Sequence, residues 1–262
     1  MTQRSGNIPK VVLWTMPRAV ATAFERSIRA LGDIKVYHEV YGMAAYFGEE
    51  RYFPHFLDRP VQPGCKFNDI KQMLENEDKG CRGIFLKDLA YRIADTGRYD
   101  ALPEGFQHTF LIRPPMKSVP SFYKNFAKAY GPEKRPISSE VGFREMWELY
   151  QYIRDHKGQT PLVIDSDDLL SDPATIMKKY CEAVGFEFRE SMLQWEPGLV
   201  DGWHWEEEWY GTVSSSSCFK RPIDVRSSDT EKDESSLPVF IRKAIQDAEP
   251  YHEKLYNLRL KP

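Results

Sequence analysis

Five short apolar runs constrain the fold of this chain more than any other feature. They are VVLWT (11–15), IKVYH (34–38), GIFLK (83–87), TFLIR (109–113) and PLVID (161–165). None of the five alternates cleanly between apolar and polar residues, and this continuous pattern is typical of strands that are covered on both faces. The runs therefore predict a central parallel sheet with further layers on both sides.

Helical patterns lie between most of these runs. Phe24, Ile28 and Leu31 form one apolar stripe, and further stripes lie within 143–153 and 176–184. Strands that alternate with helices imply a parallel sheet with right-handed crossovers. The sequence thus predicts an α/β fold, with a single domain over residues 1–262 and about five parallel strands flanked by helices.

Three segments toward the C-terminus have patterns of their own. WEPGLVDGWHWEEEWY (195–210) carries four tryptophans among acids, which fits either a loop held by its aromatic residues or a wall of a substrate site. RSSDTEKDESS (226–236) is polar and charged and predicts a mobile surface loop. Residues 239–258 have a helical pattern, in which Pro250 predicts a break.

The charge balance and the cysteines limit the classes of protein to which the chain can belong. The net charge of -3 disfavours a nucleic-acid partner, because general nucleic-acid binders carry a basic excess. The four cysteines form no C-x-x-C pair, which supports neither a zinc site nor a disulfide framework. The chain has no apolar run long enough to span a bilayer and no signal-peptide pattern, so we expect a cytoplasmic protein without a membrane partner.

Ionisable side chains lie at or shortly after the carboxyl end of every predicted strand. In an open parallel sheet, ligands bind beyond the carboxyl ends of the strands. Cations together with carboxylates at that edge favour an anionic ligand and acid–base chemistry. The residues concerned are Arg18, His38 with Glu39, Lys87 with Asp88, Arg113, and Asp165.

The first of these strand ends turns directly into a helix, at Pro17-Arg18. Such a turn presents free backbone N–H groups at the positive end of the helix, which favours an anion. Arg18 would add charge-assisted hydrogen bonds and Thr22 a hydroxyl group; the alternative is a plain turn with an exposed arginine. The pattern G-x-x-x-x-G-K-[ST] is absent, which disfavours hydrolysis of a nucleoside triphosphate.

The fourth strand end carries a more specific pattern, FLIRPPMKSVPSFYK (110–124). Arg113 and Ser121 can converge there on one phosphate, although a helix cap with a surface arginine is the alternative. The stretch resembles the 3′-phosphate-binding segment of sulfotransferases that use 3′-phosphoadenosine 5′-phosphosulfate (PAPS). In that family an arginine at a strand end is followed by proline, and a serine comes eight residues after the arginine, as here.

The first junction, PRAVATAF (17–24), is similar to the 5′-phosphosulfate loop of the same family, which reads Pro, Lys or Arg, Ser, Gly, Thr or Ser, Thr. Thr22 and the opening Pro-Arg match, whereas residues 19–21 depart from the pattern. Val20 stands where the family has glycine, and this limits close approach of the backbone to the ligand. The stretch 162–186 resembles the later strand, acidic turn and helix of the family. The resemblance implies donor binding by Arg18, Ala19, Val20, Ala21, Thr22, Ala23, Arg113 and Ser121.

The resemblance also gives candidates for the general base. Many members have a histidine shortly after a lysine at the third strand, but here Asp88 follows Lys87. Other members use a glutamate beyond the second strand, and YHEVYG (37–42) offers His38 and Glu39. The resemblance therefore implies Glu39 as first candidate, His38 as second and Asp88 as third, with Lys87 near the transferred group. The alternative for His38 is a histidine with a structural role at the strand end.

The remaining basic residues and histidines give weaker patterns. In VSSSSCFKRPI (213–223), the resemblance implies that Lys220 and Arg221 close over the nucleotide, and an ordinary charged loop is the alternative. Four other histidines lack partners at metal-ligand spacing and are predicted to lie at the surface; they are His55, His108, His156 and His252.

Taken together, the motifs imply a sulfotransferase that moves a sulfuryl group from PAPS to a hydroxyl or amine and releases adenosine 3′,5′-bisphosphate (PAP). Aromatic residues near the predicted site favour a small apolar or aromatic acceptor, and the chemistry requires no metal. One alternative is a nucleotide-binding protein of the same fold without turnover. Another is a magnesium-dependent phosphatase or phosphotransferase with its nucleophile in DSDDLL (165–170), which Asp168 disfavours. The oligomeric state is not indicated.

Overall fold

A five-stranded parallel sheet organises the chain in the computed structural model, which describes residues 8–76, 80–203, 209–219 and 234–262. The strands are β1 (Lys10–Thr15), β2 (Ile34–His38), β3 (Gly83–Leu89), β4 (Gln107–Ile112) and β5 (Leu162–Asp165). The order across the sheet is β2-β3-β1-β4-β5, and each neighbouring pair is parallel. The predicted α/β fold is confirmed.

The third strand is longer than its apolar run predicts, because β3 continues to Leu89. Lys87 and Asp88 consequently lie within the strand, and not at its end, and neighbouring strand residues point to opposite faces of the sheet. The fourth strand is shorter at its carboxyl end: β4 stops at Ile112, and Arg113 is the first residue of the connection to the next helix.

Helices cover both faces of the sheet. The helices are α1 (Ala21–Arg29), α2 (Phe67–Glu75), α3 (Tyr91–Ala94), α4 (Pro115–Tyr130), α5 (Ser138–Val141), α6 (Phe143–His156), α7 (Ser166–Ser171), α8 (Pro173–Val184), α9 (Gly211–Ser214) and α10 (Val239–Asn257). Val11 and Leu13 of β1 pack with α1 and α8 on one face, while Val12 and Trp14 pack on the other face with α4, α6 and α10. None of the helices in the described ranges is long and apolar enough to cross a lipid bilayer.

The predicted break at Pro250 is wrong, because α10 continues through the proline. Ile245 and Leu255 are buried on either side of it, so packing holds both halves of the helix in line. Pro250 itself is exposed, and the hydrogen bond that it cannot donate therefore lies on the solvent side.

Two of the histidines predicted at the surface are buried. Nδ1 of His108 accepts a hydrogen bond from Nε1 of Trp14 at 3.0 Å, and burial lowers the pKa of His108 to about 4. His252 is buried on α10. His156 is exposed as predicted. Of the predicted loop, residues 226–233 lie outside the described residues, and Glu234–Ser236 forms a short 3₁₀ turn.

Replacement of Pro250 by alanine should stabilise the protein. Alanine restores the missing N–H donor and removes the free-energy cost of a proline in a helix, about 3 kcal/mol. The unfolded chain has more conformational entropy with alanine than with proline, and this offsets up to about 1 kcal/mol of the gain in stability. We expect urea denaturation to give Pro250→Ala a free energy of unfolding about 2 kcal/mol above wild type. Glu253→Ala, at an exposed position of the same helix, is the matched control and should change little. An equal or lower stability of Pro250→Ala would contradict this interpretation.

Candidate active site

A cavity of about 610 Å³ lies at the carboxyl edge of the sheet, where ligands of open α/β sheets bind. It is lined by the connection from β1 to α1, by the ends of β2 and β3, and by the start of the connection after β4. Most of the predicted site residues therefore meet at one cavity. Those that line it are Arg18, Ala19, Val20, Ala21, Thr22, Ala23, Glu39, Lys87 and Arg113.

The two strand-to-helix junctions contact each other directly. Nη1 of Arg113 donates to the backbone carbonyl of Arg18 at 2.7 Å, and Nε of Arg18 donates to Oγ of Ser121 at 3.0 Å. Nη1 of Arg18 also donates to the carbonyl of Trp209 at 3.0 Å. Ser121 does not line the cavity, but it fixes the arginine that does.

The two arginines form no ion pair with any carboxylate in the described part of the chain. Burial and then the neighbouring Arg113 lower the pKa of Arg18, and burial lowers the pKa of Arg113 against the effect of Asp167 and Asp165. Among the described residues, no carboxylate lies within 4.0 Å of either guanidinium, and Nε of Arg113 is buried without a hydrogen-bond partner. Such a pair of half-buried cations is suited to an anionic ligand with more than one charge.

The backbone of the first loop adopts a conformation that glycine favours. Val20 has φ 70° and ψ 6°, so the valine occupies the left-handed region at the position where the resembled family has glycine. Val20 also precedes α1, whose first turn contains no acidic residue and whose N-cap makes no side-chain hydrogen bond. The N–H groups at this end of α1 are thus suited to an anion.

The described non-glycine residues with a left-handed backbone all lie at the cavity. Within the described ranges, three residues other than glycine have positive φ: Arg18 at 65°, Val20 at 70° and Glu39 at 50°. All three line the cavity. A left-handed conformation costs roughly 1–2 kcal/mol per residue, and strain of this kind concentrates at functional sites. The distribution of strain therefore identifies the cavity independently of the charges.

Glu39 lies at the cavity between two cations. Its Oε1 accepts from Nζ of Lys87, and its Oε2 accepts from Nη2 of Arg92 at 2.8 Å. Burial alone would raise the pKa of Glu39, but the charges of Lys87 and Arg92 outweigh burial and hold the pKa well below its usual value. Glu39 is therefore an ionised carboxylate at neutral pH, held in place on both oxygens.

His38, the second candidate base, lies behind the cavity wall. Its Nδ1 is 2.5 Å from Oε2 of Glu25, and its Nε2 is 3.0 Å from the hydroxyl of Tyr210, which lines the cavity. Burial would raise the pKa of Glu25, but His38, Arg29 and Lys87 lower it to about 2. His38 thus connects a buried carboxylate to a cavity tyrosine without reaching the cavity itself.

Asp88, the third candidate, is a buried structural group. Its Oδ2 accepts from the backbone N–H of Tyr41 at 2.9 Å, and its Oδ1 accepts from the N–H of Leu89 and from Nη1 of Arg92, both at 2.8 Å. Burial raises the pKa of Asp88. Asp88 does not line the cavity, and it orients Arg92, which in turn binds Glu39.

The acidic turn after β5 has structural partners. Oδ1 of Asp165 accepts from the N–H groups of Asp167 and Asp168 and caps α7. Nζ of Lys117 donates to Asp167 at 2.6 Å, and Nε of Arg259 donates to Asp168 at 2.8 Å. None of these aspartates lines the cavity, which removes the support for a phosphatase nucleophile in this segment.

Several cavity residues were missed from the sequence. Arg92 forms an ion pair with Asp88, but Asp88 lies in β3 and Arg92 in α3, so no helical spacing indicates this pair in the sequence. Of the tryptophan-rich segment, Trp209 and Tyr210 line the cavity, and its role as a substrate wall stays a prediction. Glu140 also lines the cavity and follows no recognised motif. Lys220 and Arg221 lie outside the described residues.

Replacement of Val20 by glycine should cost little stability. The change removes the strain of a β-branched residue at φ 70°, which offsets the lost apolar contact and the greater freedom of the unfolded chain. We expect the free energy of unfolding to stay within about 1 kcal/mol of wild type. The control, Val36→Gly in β2, should lose about 2 kcal/mol because no strain is relieved there. Equal losses in both variants would show that Val20 is unstrained.

Comparisons with known proteins identify the family of the chain. The sequence matches the family described as "Sulfotransferase domain" over residues 9–243. The "Branched-chain-amino-acid aminotransferase-like protein 2" of Arabidopsis thaliana is 28% identical over 215 residues, which cover 80% of this chain and 36% of that protein. The "Sulfotransferase ppzF" of Metarhizium majus is 28% identical over 102 residues, covering 34% of this chain and 30% of that protein. The chain thus spans about a third of the length of each of these two relatives.

A solved structure shares the fold. The "Sulfotransferase Domain from the Synechococcus PCC 7002 Olefin Synthase" superposes with a TM-score of 0.53 at 12% identity, covering 99% of both chains. The family match extends from before β1 into α10 and includes both strand-to-helix junctions. The chain therefore belongs to the sulfotransferase family.

Proposed function

We propose that the chain transfers a sulfuryl group from PAPS to a hydroxyl or amine of a small molecule and releases PAP. The observation that carries this proposal is the contact between Arg18 and Arg113, two cations without a carboxylate partner in the described part of the chain. A nucleotide with phosphate groups at both its 3′ and 5′ positions supplies the opposite charge for both. The family membership supports sulfuryl transfer as the type of reaction.

The donor would be held at its two ends by the two junctions. Arg113, whose buried Nε has no hydrogen-bond partner among the described residues, suits the 3′-phosphate, and Ser121 positions Arg18 beside it. Arg18, Thr22 and the N-terminus of α1 suit the 5′-phosphosulfate, because free N–H groups and a guanidinium both bind oxyanions. PAPS supplies the activated sulfuryl group to this arrangement.

The transfer itself is an in-line displacement at sulfur. The acceptor oxygen or nitrogen attacks the sulfur atom, the bond from sulfur to the phosphate oxygen breaks, and its electron pair leaves with PAP. The proton of the acceptor goes to Glu39, which is ionised and held by Lys87 and Arg92. Arg18 and Lys87 would stabilise the charge that develops on the leaving oxygen and the sulfuryl group.

One observation favours nucleotide binding without turnover as the second candidate function. The same cations that hold Glu39 lower its pKa, and a carboxylate of low pKa is a weak base. Binding and turnover must therefore be measured separately. The location that we propose is the cytoplasm, since four free cysteines suit a reducing compartment.

Calorimetry with PAP at 0.15 M salt tests the donor site. Arg18→Ala and Arg113→Ala should each weaken PAP binding at least tenfold, since a hydrogen bond to a charged group contributes about 1.5–3 kcal/mol. Arg154→Ala, which removes an exposed arginine paired only with Asp155, is the control and should bind like wild type. Absence of PAP binding by the wild type, or equal affinities in all three variants, would refute the donor assignment.

Replacement of Glu39 by glutamine tests the base. We expect kcat for PAP formation from PAPS, measured over a panel of phenols and alcohols, to fall by about 10²–10⁴, with PAP affinity unchanged within about twofold. Glu148→Gln, at an exposed carboxylate, is the control. Because the lowered pKa keeps Glu39 ionised, its protonation should cause no loss of kcat/KM as the pH falls from 8 to 5.

The Glu39→Gln variant removes the carboxylate that Lys87 and Arg92 share, while Arg92 keeps its ion pair with Asp88, so thermal unfolding is measured alongside to confirm that the variant folds. A folded Glu39→Gln variant with wild-type kcat would exclude Glu39 as the base. Wild-type protein that binds PAP but forms none from PAPS with any acceptor would favour the nucleotide-binding function.

A further inference from the structure

The cavity has a second end, built from aromatic rings. The rings contact one another in sequence: the centroids of Tyr46 and Phe56 are 4.4 Å apart, those of Phe56 and Tyr130 5.8 Å, and those of Tyr130 and Phe126 4.8 Å. We call this end the aromatic chamber, formed by the cavity-lining residues Tyr46, Phe56, Phe122, Phe126, Tyr130 and Trp209.

The aromatic chamber adjoins both the donor loop and the candidate base. The ring of Trp209 packs against Phe122 at 6.0 Å, while its backbone carbonyl accepts the hydrogen bond from Arg18. At the other side, the guanidinium of Arg92 lies 4.8 Å from the centroid of Tyr46 and also binds Glu39. A molecule in the chamber is thus next to the groups that sulfuryl transfer requires.

One buried carboxylate, that of Glu140, lines this end of the cavity. Its Oε2 accepts from the backbone N–H of Ile137 at 2.8 Å and lies 3.3 Å from Nε2 of His55. His55 was predicted at the surface, but its side chain is only 12% exposed and its ring packs against Phe126 and Tyr130. No lysine or arginine among the described residues lies within 4.0 Å of the Glu140 carboxylate.

Glu140 and Glu39 therefore differ in one respect that bears on binding. Both are buried carboxylates at the same cavity, but Glu39 has two permanent cations and Glu140 has only a backbone N–H and a histidine. A buried carboxylate without a cation is costly, and a ligand that brings a positive charge would compensate it. Aromatic faces around such a carboxylate attract the same charge through their π electrons.

We propose that the acceptor is a small alcohol or phenol that carries an ammonium group, and that Glu140 with the aromatic chamber binds this group. The assignment of this ligand as the acceptor rests on the proposed function. The ammonium end would point to Glu140, and the hydroxyl would lie toward Glu39 and the donor loop. The selectivity for a cation depends chiefly on Glu140, with a smaller contribution from the aromatic faces, and it can be measured without turnover.

The test compares cations with neutral molecules of the same shape. Calorimetry on the full chain saturated with PAP uses two matched pairs: choline with 3,3-dimethylbutan-1-ol, and tyramine with 4-ethylphenol. We expect the cation of at least one pair to bind at least tenfold more tightly than its neutral partner. In Glu140→Gln this preference should fall below about threefold. Glutamine can still accept from the N–H of Ile137, so the start of α5 is retained and the variant should fold.

Glu148→Gln removes one exposed carboxylate from α6 and is the control for net charge; it should keep the preference of the wild type. Four outcomes would overturn the proposal. They are equal affinity within both pairs, tighter binding of the neutral partners, failure of both cations to bind, and a preference for the cation that persists in Glu140→Gln. Failure of the sulfotransferase function is distinguishable: PAP formation would be absent while the preference for the cation and its dependence on Glu140 remained.

Discussion

The hydrogen bond from Arg113 to the carbonyl of Arg18 is the interaction on which the site depends. It joins residues 95 positions apart, and it exists because β1 and β4 are neighbours in the sheet and end at the same edge. The bond fixes the backbone of the first loop from the second junction. Two guanidinium groups that repel each other are thereby held close together. An anion that binds between them would compensate their positive charge.

The same loop stores the strain of the site. Arg18 and Val20 have left-handed backbones without being glycine, at a cost of roughly 1–2 kcal/mol each. The surrounding sheet compensates for this cost, because β1 is central and its side chains are buried on both faces. Glu39, the third strained residue, follows β2 and is held by two ion pairs. Packing and charge thus fix a geometry that local propensity disfavours.

The sheet and both junctions were predictable from the sequence because they depend on local patterns. Apolar runs predict strands, and the residues that follow them meet at one edge of a parallel sheet. The roles of Lys87 and Asp88 were not predictable in this way. The apolar run predicts a strand that ends at Lys87, whereas β3 continues to Leu89, so both side chains are fixed by their positions within the strand. Pro250 was misread because the packing of Ile245 and Leu255 overrides its local effect.

The pair of His55 and Glu140 beside the aromatic chamber has no comparable local signal. His55 belongs to a three-residue 3₁₀ turn and Glu140 to a four-residue helix, and neither segment is long enough to establish a periodic pattern. Only tertiary structure brings His55 into contact with Glu140, which lines the cavity. The two ends of the cavity consequently differ in origin as well as in charge. The cationic end follows from the topology of the sheet, whereas the acidic and aromatic end combines residues of α4 with connecting segments, which change more readily than strands do. The positions of the cations thus follow from the strand order, whereas the carboxylate at the other end depends on a few side chains on short segments.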